Sequence, residues 1–161
     1  MPGRLSKFAA DAMLGSLARK LRAFGFDTAY YSRGGDEGLI TLAKAESRVI
    51  LTSDGALIGR AASKGVPALL VSGRTDGRRI SSLLGGAKAA RIRVERGPPL
   101  CSLCNGKLVP VPREEAAPQV PASVLRRHRL FLVCTECGQF YWRGGHWKKL
   151  SNLERAFGHR A

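Results

Sequence analysis

Short apolar runs alternate with amphipathic segments along the first half of the chain. The clearest run is Val49 to Thr52, after which polarity returns at once with Ser53 and Asp54. A short apolar run that contains β-branched residues is typical of a strand buried on both faces of a parallel sheet. The same patterning predicts strands over residues 5–10, 26–31, 49–52 and 66–71, and helices over residues 12–24, 36–46, 54–64 and 80–84.

Strands and helices alternate as far as residue 84, which predicts an α/β fold with a mainly parallel sheet. In such sheets, ligands bind just beyond the carboxyl ends of the strands. Asp11 and Asp54 follow predicted strands, and Asp36 begins a predicted helix. We therefore expect these three carboxylates to converge at one edge of the sheet. Each has an alternative explanation, because aspartate is also a favoured N-cap of helices.

The pattern changes after Gly97-Pro98-Pro99, where we expect a domain boundary. Beyond it, the sequence predicts strands over residues 107–111, 130–133 and 139–143, a loop over 112–121 and one helical turn over 124–129. The predicted organisation is a first domain over residues 1–96, a small second domain over 97–154 and a flexible tail over 155–161.

The second domain carries all four cysteines of the chain, in two Cys-x-x-Cys pairs. They are Cys101 with Cys104 and Cys134 with Cys137, and glycine follows each pair closely. Paired knuckles of this kind supply four thiolates to a tetrahedral zinc ion, and a disulfide reading is the weaker alternative in a cytosolic chain. Because four sulfur ligands close the coordination shell, the predicted zinc is structural.

Charge favours a polyanionic partner. The 161 residues include 27 Lys and Arg against 12 Asp and Glu, a formal net charge of +15, and both predicted domains are basic. A basic surface most often contacts nucleic acid, although general basicity of a soluble protein gives the same composition. The chain has no apolar run of 18 residues and no signal-like start, so we expect a soluble, cytoplasmic protein without a membrane partner.

Aromatic and basic residues are interleaved after the second cysteine pair. They are Phe140, Tyr141, Trp142, Arg143, His146, Trp147, Lys148 and Lys149. Aromatic rings beside cations can stack on unpaired bases. The alternative, favoured for Tyr141 and Trp142, is that the rings pack the small domain against the first one.

Several of these segments resemble one known family. They are Phe8-Ala-Ala-Asp11-Ala-Met-Leu14 with its continuation to Asp27, Asp36-Glu37-x-Leu39 with Arg48-Val-Ile-Leu-Thr52-x-Asp54, and both cysteine knuckles with Tyr141-Trp142-x-Gly144-x-His146-Trp147. Together they resemble the Mut-seven C-terminal RNase family, a compact branch of the PIN-domain nucleases. The resemblance covers nearly the whole chain. It implies a PIN-like three-layer α/β/α fold followed by a zinc ribbon, an acidic metal site and ribonuclease activity.

The resemblance assigns Asp11, Asp36 and Asp54 to a catalytic site for Mg²⁺ or Mn²⁺. A fourth acidic residue, common in PIN nucleases, has no clear counterpart here, and Glu37 and Asp76 are the candidate substitutes. Water activated by the metal would attack an RNA phosphate in line. The candidate RNA contacts are Arg19, Arg22, Arg33, Arg74, Arg78, Arg79, Trp147, Lys148 and Lys149.

Three functions are compatible with these features. The first is a metal-dependent ribonuclease whose zinc ribbon helps to bind RNA. The second is a PIN-like protein that binds RNA, a ribosome or tRNA without cutting it. The third is the toxin of a toxin–antitoxin pair, against which the appended ribbon argues. The oligomeric state stays open.

Overall fold

The computed structural model describes residues 6–144. Residues 1–5 and 145–161 lie outside the described part, and with them the predicted start of the first strand at Leu5 and the predicted tail. Three of the candidate RNA contacts, Trp147, Lys148 and Lys149, also lie there, as does His146.

A four-stranded parallel sheet forms the centre of the first part of the chain. Its strands are β1 (Lys7–Ala10), β2 (Thr28–Tyr30), β3 (Arg48–Thr52) and β4 (Ala68–Leu70). They lie in the order β2-β1-β3-β4, and every neighbouring pair is parallel. The predicted parallel α/β architecture is therefore confirmed. Because the chain moves from β1 to one side and later to β3 on the other, β1 and β3 flank the point where the strand order reverses.

Four helices cover the two faces of this sheet. They are α1 (Gly15–Ala23), α2 (Gly35–Ala45), α3 (Gly55–Ser63) and α4 (Asp76–Ala89). Residues of α1 and α4 join one buried apolar cluster, and residues of α2 and α3 join another. Strand β3 serves both clusters, since Val49 and Leu51 point to the first and Ile50 to the second. This is the predicted three-layer α/β/α arrangement.

A second, antiparallel sheet follows. It contains β5 (Leu108–Val111), β6 (Phe131–Cys134) and β7 (Phe140–Trp142) in that order. Two short helices, α5 (Arg113–Ala116) and α6 (Ala122–Arg127), connect β5 to β6. Ala116 and Val120 pack on Phe131 to form a small apolar cluster of their own. With the clustered cysteines, this sheet fits the predicted zinc ribbon.

Two sequence predictions of local structure were wrong. The loop expected over 112–121 contains α5, because Ala116 and Val120 are buried under the small sheet. The helix expected over 80–84 extends over all of α4. Gly85 and Gly86 do not end it, since Leu83 and Ala87 on either side of them are both buried.

The two parts of the chain meet at the amino ends of the parallel strands. The Gly97 amide donates to the carbonyl of Gly25 (2.8 Å), and the Leu100 amide donates to the carbonyl of Arg22 (2.9 Å). Gly25 has a φ of 90°, a conformation that favours glycine. These contacts fix the start of the second part against the segment between α1 and β2.

Candidate active site and metal centre

Asp11 directly follows β1, and its two carboxylate oxygens have different partners. Oδ1 accepts a hydrogen bond from the Met13 amide (2.9 Å) and so caps a short 3-10 helix over Ala12–Leu14. Oδ2 accepts a hydrogen bond from the Thr52 hydroxyl, on the neighbouring strand β3. The capping explanation is therefore correct for one oxygen, while the other faces the end of β3.

Asp54 repeats this arrangement at the end of β3. Its Oδ1 accepts from the Ala56 amide (2.8 Å) and caps α3, and its backbone amide donates to the hydroxyl oxygen of Thr52 (3.0 Å). Thr52 therefore donates to Asp11 and accepts from Asp54. This buried threonine joins the two aspartates at the point where the strand order reverses, which is where open α/β sheets bind their ligands.

Asp36 reaches the same edge from the first turn of α2. Its Oδ2 pairs with Nη2 of Arg60 on α3, and the same nitrogen lies 3.8 Å from Oδ2 of Asp54. Arg60 thus bridges Asp36 and Asp54, as Thr52 bridges Asp54 and Asp11. The three predicted carboxylates share one edge of the sheet and are connected through these two residues.

The chemistry of this donor set suits a hard divalent cation. Mg²⁺ and Mn²⁺ prefer oxygen ligands, and Mg²⁺ is usually held by one or two carboxylates with several waters. Asp36 and Asp54 already flank a positive charge, that of Arg60. Within residues 6–144, the three carboxylates are not gathered within 4.8 Å of one another as the cysteines are.

The two candidates for a fourth acidic residue are both held by cations. Glu37 pairs with Lys64, the residue that caps the carboxyl end of α3, four positions after Arg60. Asp76, at the start of α4, pairs with Lys20 and also accepts from Ser16 (2.9 Å). Burial would raise the pKa of Asp76, but the hydrogen bonds from Lys20 and Ser16 lower it below its usual value.

Three of the predicted RNA-contacting arginines lie at the same edge as the carboxylates. Arg33 follows β2, Arg74 follows β4, and Arg78 lies in the first turn of α4; all three are exposed. Arg79 is half-buried and donates to the Gly73 carbonyl (3.1 Å). Arg19 is exposed on α1.

Arg22 does not belong to this surface, which corrects the prediction that it follows the RNA backbone. It is only 6% exposed, and its guanidinium donates to the carbonyls of Thr28 (2.8 Å), Ser102 (3.0 Å) and Leu103 (3.0 Å). Arg22 lies one helical turn after buried Ala18, on the inner face of α1. Its donors bind the first cysteine knuckle rather than a phosphate.

The four cysteines form a compact cluster. Their sulfur atoms all lie within 4.8 Å of one another, with Cys101 3.6 Å from Cys137 and Cys104 3.4 Å from Cys134. All four are free cysteines, and these separations are longer than the roughly 2.05 Å of an S–S bond, which favours the metal site over the disulfide alternative. Tetrahedral zinc with Zn–S bonds of about 2.3 Å requires sulfur separations of about 3.8 Å, close to those observed. The four cysteines could bind a metal such as zinc.

Comparison with models of known protein families identifies the family of the chain. The family model described as the Mut7-C RNAse domain matches residues 6–153. The chain belongs to the Mut7-C RNase family. Neither a search of curated proteins nor a search of solved structures returned a match. Membership indicates a ribonuclease fold and RNA as the substrate class, in agreement with the resemblance found in the sequence.

The Mut7-C chain has further residues at its acidic edge that the sequence did not single out. Thr52 belongs to the Thr-x-Asp segment, so its spacing from Asp54 was a usable signal. Arg60 was missed because its partners are brought together only by the packing of α3 beside α2. Arg60 on α3 and Lys64 at the C-terminal cap of α3 are four residues apart, and this helical spacing was the available signal.

A tyrosine supports the cysteine cluster of this Mut7-C chain. The Tyr141 hydroxyl lies 3.0 Å from Sγ of Cys101 and 3.2 Å from the Ser102 hydroxyl. Burial would raise the pKa of Cys101, but hydrogen bonds from Tyr141 and from nearby backbone amides lower it to about 7. Burial and the contact with Cys101 raise the pKa of Tyr141 to about 12. Tyr141 therefore stays protonated and donates to the thiolate. These contacts lie within the second part of the chain, so the predicted packing of this ring against the first part stays a prediction.

The first knuckle also contacts the amino ends of the parallel strands, opposite the acidic edge. Asn105 accepts from the Thr28 amide (3.0 Å) and donates to Asp27 (2.8 Å). Asp27 in turn accepts from Arg48 at the start of β3 (2.6 Å).

Among the described helices, none is long and apolar enough to cross a membrane.

Proposed function

We propose that this Mut7-C chain is a ribonuclease that hydrolyses RNA phosphodiester bonds with the help of Mg²⁺ or Mn²⁺ at Asp11, Asp36 and Asp54. The supporting observation is the junction of Asp11 and Asp54 through Thr52, at the reversal of strand order, in a chain of an RNase family. Asp36 approaches the same edge from the neighbouring helix. Glu37 and Asp76 remain candidates for an outer supporting role.

The residues of the site would have different roles. Asp11, Asp36 and Asp54 offer carboxylate oxygens to the cation. A divalent ion bound there supplies a water of lowered pKa and neutralises charge on the phosphate. Thr52 is buried and keeps one oxygen of Asp11 and the backbone of Asp54 at a fixed separation, so that little ordering is needed when the substrate arrives.

RNA would reach the site along a basic surface, which we define as Arg33, Arg74 and Arg78. All three are exposed and lie on loops or helix starts beyond the carboxyl ends of the strands. Arginine binds phosphate through a planar set of donors. Arg19, Arg79 and the residues beyond 144 (Trp147, Lys148 and Lys149) are further proposed contacts.

Zinc has a structural part in this proposal. Four thiolates would close its shell, and the knuckle that contains Cys101 and Cys104 is bound by Arg22 on the first part of the chain. We also propose that the ribbon contacts RNA or a ribosome. Its first knuckle packs at the edge of the sheet opposite the carboxylates.

The alternative is an RNA- or ribosome-binding protein of the same fold that does not cut. The observation in its favour is that Asp36, Asp54 and Glu37 are all paired with a cation, either Arg60 or Lys64. The net charge of +15 suits both functions. We favour the enzyme because Asp11 and Asp54 are joined so directly.

Cleavage of a labelled RNA with added Mg²⁺ or Mn²⁺ separates the two functions. Asp11→Asn and Asp54→Asn should each lower the rate by about 100-fold or more, because the charge that holds the cation is lost. Asparagine caps helices as well as aspartate does, so neither variant should unfold the chain. Glu114→Gln, an exposed acid on α5, is the matched control and should cleave like wild type.

A cleavage rate that is equal in wild type and both aspartate variants would contradict the enzyme proposal. RNA binding that persists in all of these proteins without metal-dependent cleavage would support the alternative. Cytoplasmic location is part of the same proposal, and the distribution of a tagged full-length chain tests it.

A further inference from the structure

Arg60 is the cation that already lies between two of the proposed metal ligands. Its Nη2 pairs with Oδ2 of Asp36 and lies 3.8 Å from Oδ2 of Asp54. Two carboxylates on different helices thus face a single nitrogen atom. A divalent ion held by the same two oxygens would have to occupy nearly the same position.

We propose that Arg60 competes with the divalent cation for Asp36 and Asp54, and so sets the metal affinity of the acidic site. The inference rests on the proposed function, since it takes these aspartates as metal ligands. Without metal, Arg60 pairs with both carboxylates. When metal binds, the guanidinium must leave. The loss of its ion pairs makes the net free energy of metal binding less favourable.

The position of Arg60 allows this exchange. Its side chain is 49% exposed, so the guanidinium can turn into solvent without losing a buried contact. A displaced guanidinium has donors free for a phosphate. Its removal should therefore strengthen metal binding without damaging the core.

Lys64 provides a matched control. It lies four residues after Arg60, at the C-terminal cap of α3, is similarly exposed and pairs with Glu37 instead of Asp36 or Asp54. Substitution of either residue by glutamine removes one positive charge. A general effect of charge would change metal affinity alike in both variants, whereas direct competition would act through Arg60 alone.

The experiment is titration of the zinc-loaded, full-length protein with Mn²⁺, followed by calorimetry and by the paramagnetic resonance of free Mn²⁺. Arg60→Gln should lower the dissociation constant by about three- to tenfold, as expected for two partly exposed ion pairs. Lys64→Gln should change it by less than about twofold. Thermal unfolding of both variants checks that the fold is kept.

Three other results would overturn the proposal. If wild type binds Mn²⁺ and Arg60→Gln binds it equally or more weakly, Arg60 does not compete, and the metal site itself stands. Equal gains in Arg60→Gln and Lys64→Gln would mean a general effect of charge. If neither wild type nor Arg60→Gln binds Mn²⁺, and Asp11→Asn cleaves like wild type, the proposed function fails as well.

Discussion

Asn105 donates from its side-chain nitrogen to Oδ1 of Asp27 over 2.8 Å, and so joins the first cysteine knuckle to the parallel sheet. The same side chain accepts from the amide of Thr28, a residue with no exposed surface. Asn105 has a φ of 70°, in the left-handed region that asparagine tolerates better than most residues. One residue therefore turns the knuckle and satisfies a buried donor of β2.

Substitution of Asn105 should destabilise the whole chain. Asn105→Ala leaves the buried Thr28 amide without its partner, which costs about 1–3 kcal/mol, and adds about 1–2 kcal/mol for alanine in the left-handed region. Asn105→Gly loses the hydrogen bonds but suits the backbone, so it should show only the first cost. Urea unfolding measures both. Equal stability of the glycine and alanine variants would contradict the backbone part of this explanation.

Removal of zinc should lower the stability of the parallel sheet as well as that of the ribbon. Arg22 on α1 donates to carbonyls of Ser102 and Leu103, between the first two thiolates, so loss of the metal loosens an anchor of α1. We expect Cys134→Ser to lose zinc and the midpoint of thermal unfolding to fall by roughly 10 °C or more.

The check on this prediction is metal analysis together with calorimetry. The control is Thr135→Ser, next to Cys134, which should keep both the zinc and the midpoint of thermal unfolding. Stoichiometric zinc in Cys134→Ser would contradict the four-thiolate site. An unchanged midpoint despite zinc loss would mean that the two parts unfold separately.

Asp27 should make the stability of the protein depend on acidic pH. Burial would raise the pKa of Asp27, but hydrogen bonds from Arg48 and Asn105 lower it below its usual value. A lowered native pKa stabilises the fold above about pH 4, where the unfolded carboxyl is ionised, and this stabilisation is lost as pH falls through the native pKa.

Asp27→Asn should therefore cost about 1–2 kcal/mol at pH 7, since the carboxylate is partly exposed and screened, and less as pH falls. Unfolding free energies of wild type and variant between pH 3 and 7 measure this difference. The control is Glu114→Gln, which removes an exposed carboxylate on α5 and should leave the pH profile as it is. A difference that stays constant across this range would refute the assignment.

Gly25 should be irreplaceable for a steric reason. A Cβ atom on Gly25 would lie 1.9 Å from the carbonyl oxygen of Gly97, and φ is 90° besides. Gly65 also has positive φ, at 69°, but open space around it. Gly65→Ala should cost roughly 1–2 kcal/mol from backbone strain, and Gly25→Ala roughly 2–5 kcal/mol from strain and overlap together. Denaturant midpoints of the two variants provide the comparison.

The proposed basic surface predicts a salt effect on RNA binding. Replacement of Arg33, Arg74 and Arg78 by glutamine should reduce the slope of log affinity against log salt by about 2, since each phosphate contact on a single strand contributes about 0.7. Fluorescence anisotropy at several salt concentrations measures the slope. The same number of changes at Lys44, Lys88 and Arg91, exposed cations at or just after the carboxyl ends of α2 and α4, is the control and should leave the slope nearly unaltered.

Much of the fold was predictable because burial and periodicity coincide. β3 is buried at every position, so its apolar run had only one good explanation, and the parallel sheet followed from the alternation around it. The extent of α4 was not predictable from local rules, because two glycines in its middle are tolerated only when the residues around them pack on the sheet. The helix α5 was missed for the same reason, since its one buried residue packs on a strand distant in sequence.

At the candidate site, the sequence predicted that three aspartates lie at one edge of the sheet, as they do, but it did not predict the residues that pair with them. Asp11 and Asp54 lie at the ends of adjacent strands, and a strand order of this kind makes them neighbours. The contacts of Arg60 and Arg22 could not be predicted from strand order. One is placed by the packing of two helices, and the other makes contacts about 80 residues away in sequence.

The parallel strands have the first cysteine knuckle at one end and the proposed catalytic carboxylates at the other. The atoms that would bind a metal ion are sulfur at the first end and oxygen at the second. EDTA captures both classes of ion. Inactivation by this chelator would therefore combine the loss of a cofactor with the loss of a structural clamp. Reactivation by magnesium alone, in protein whose zinc content has been verified, is the observation that assigns the chemistry to the carboxylate end.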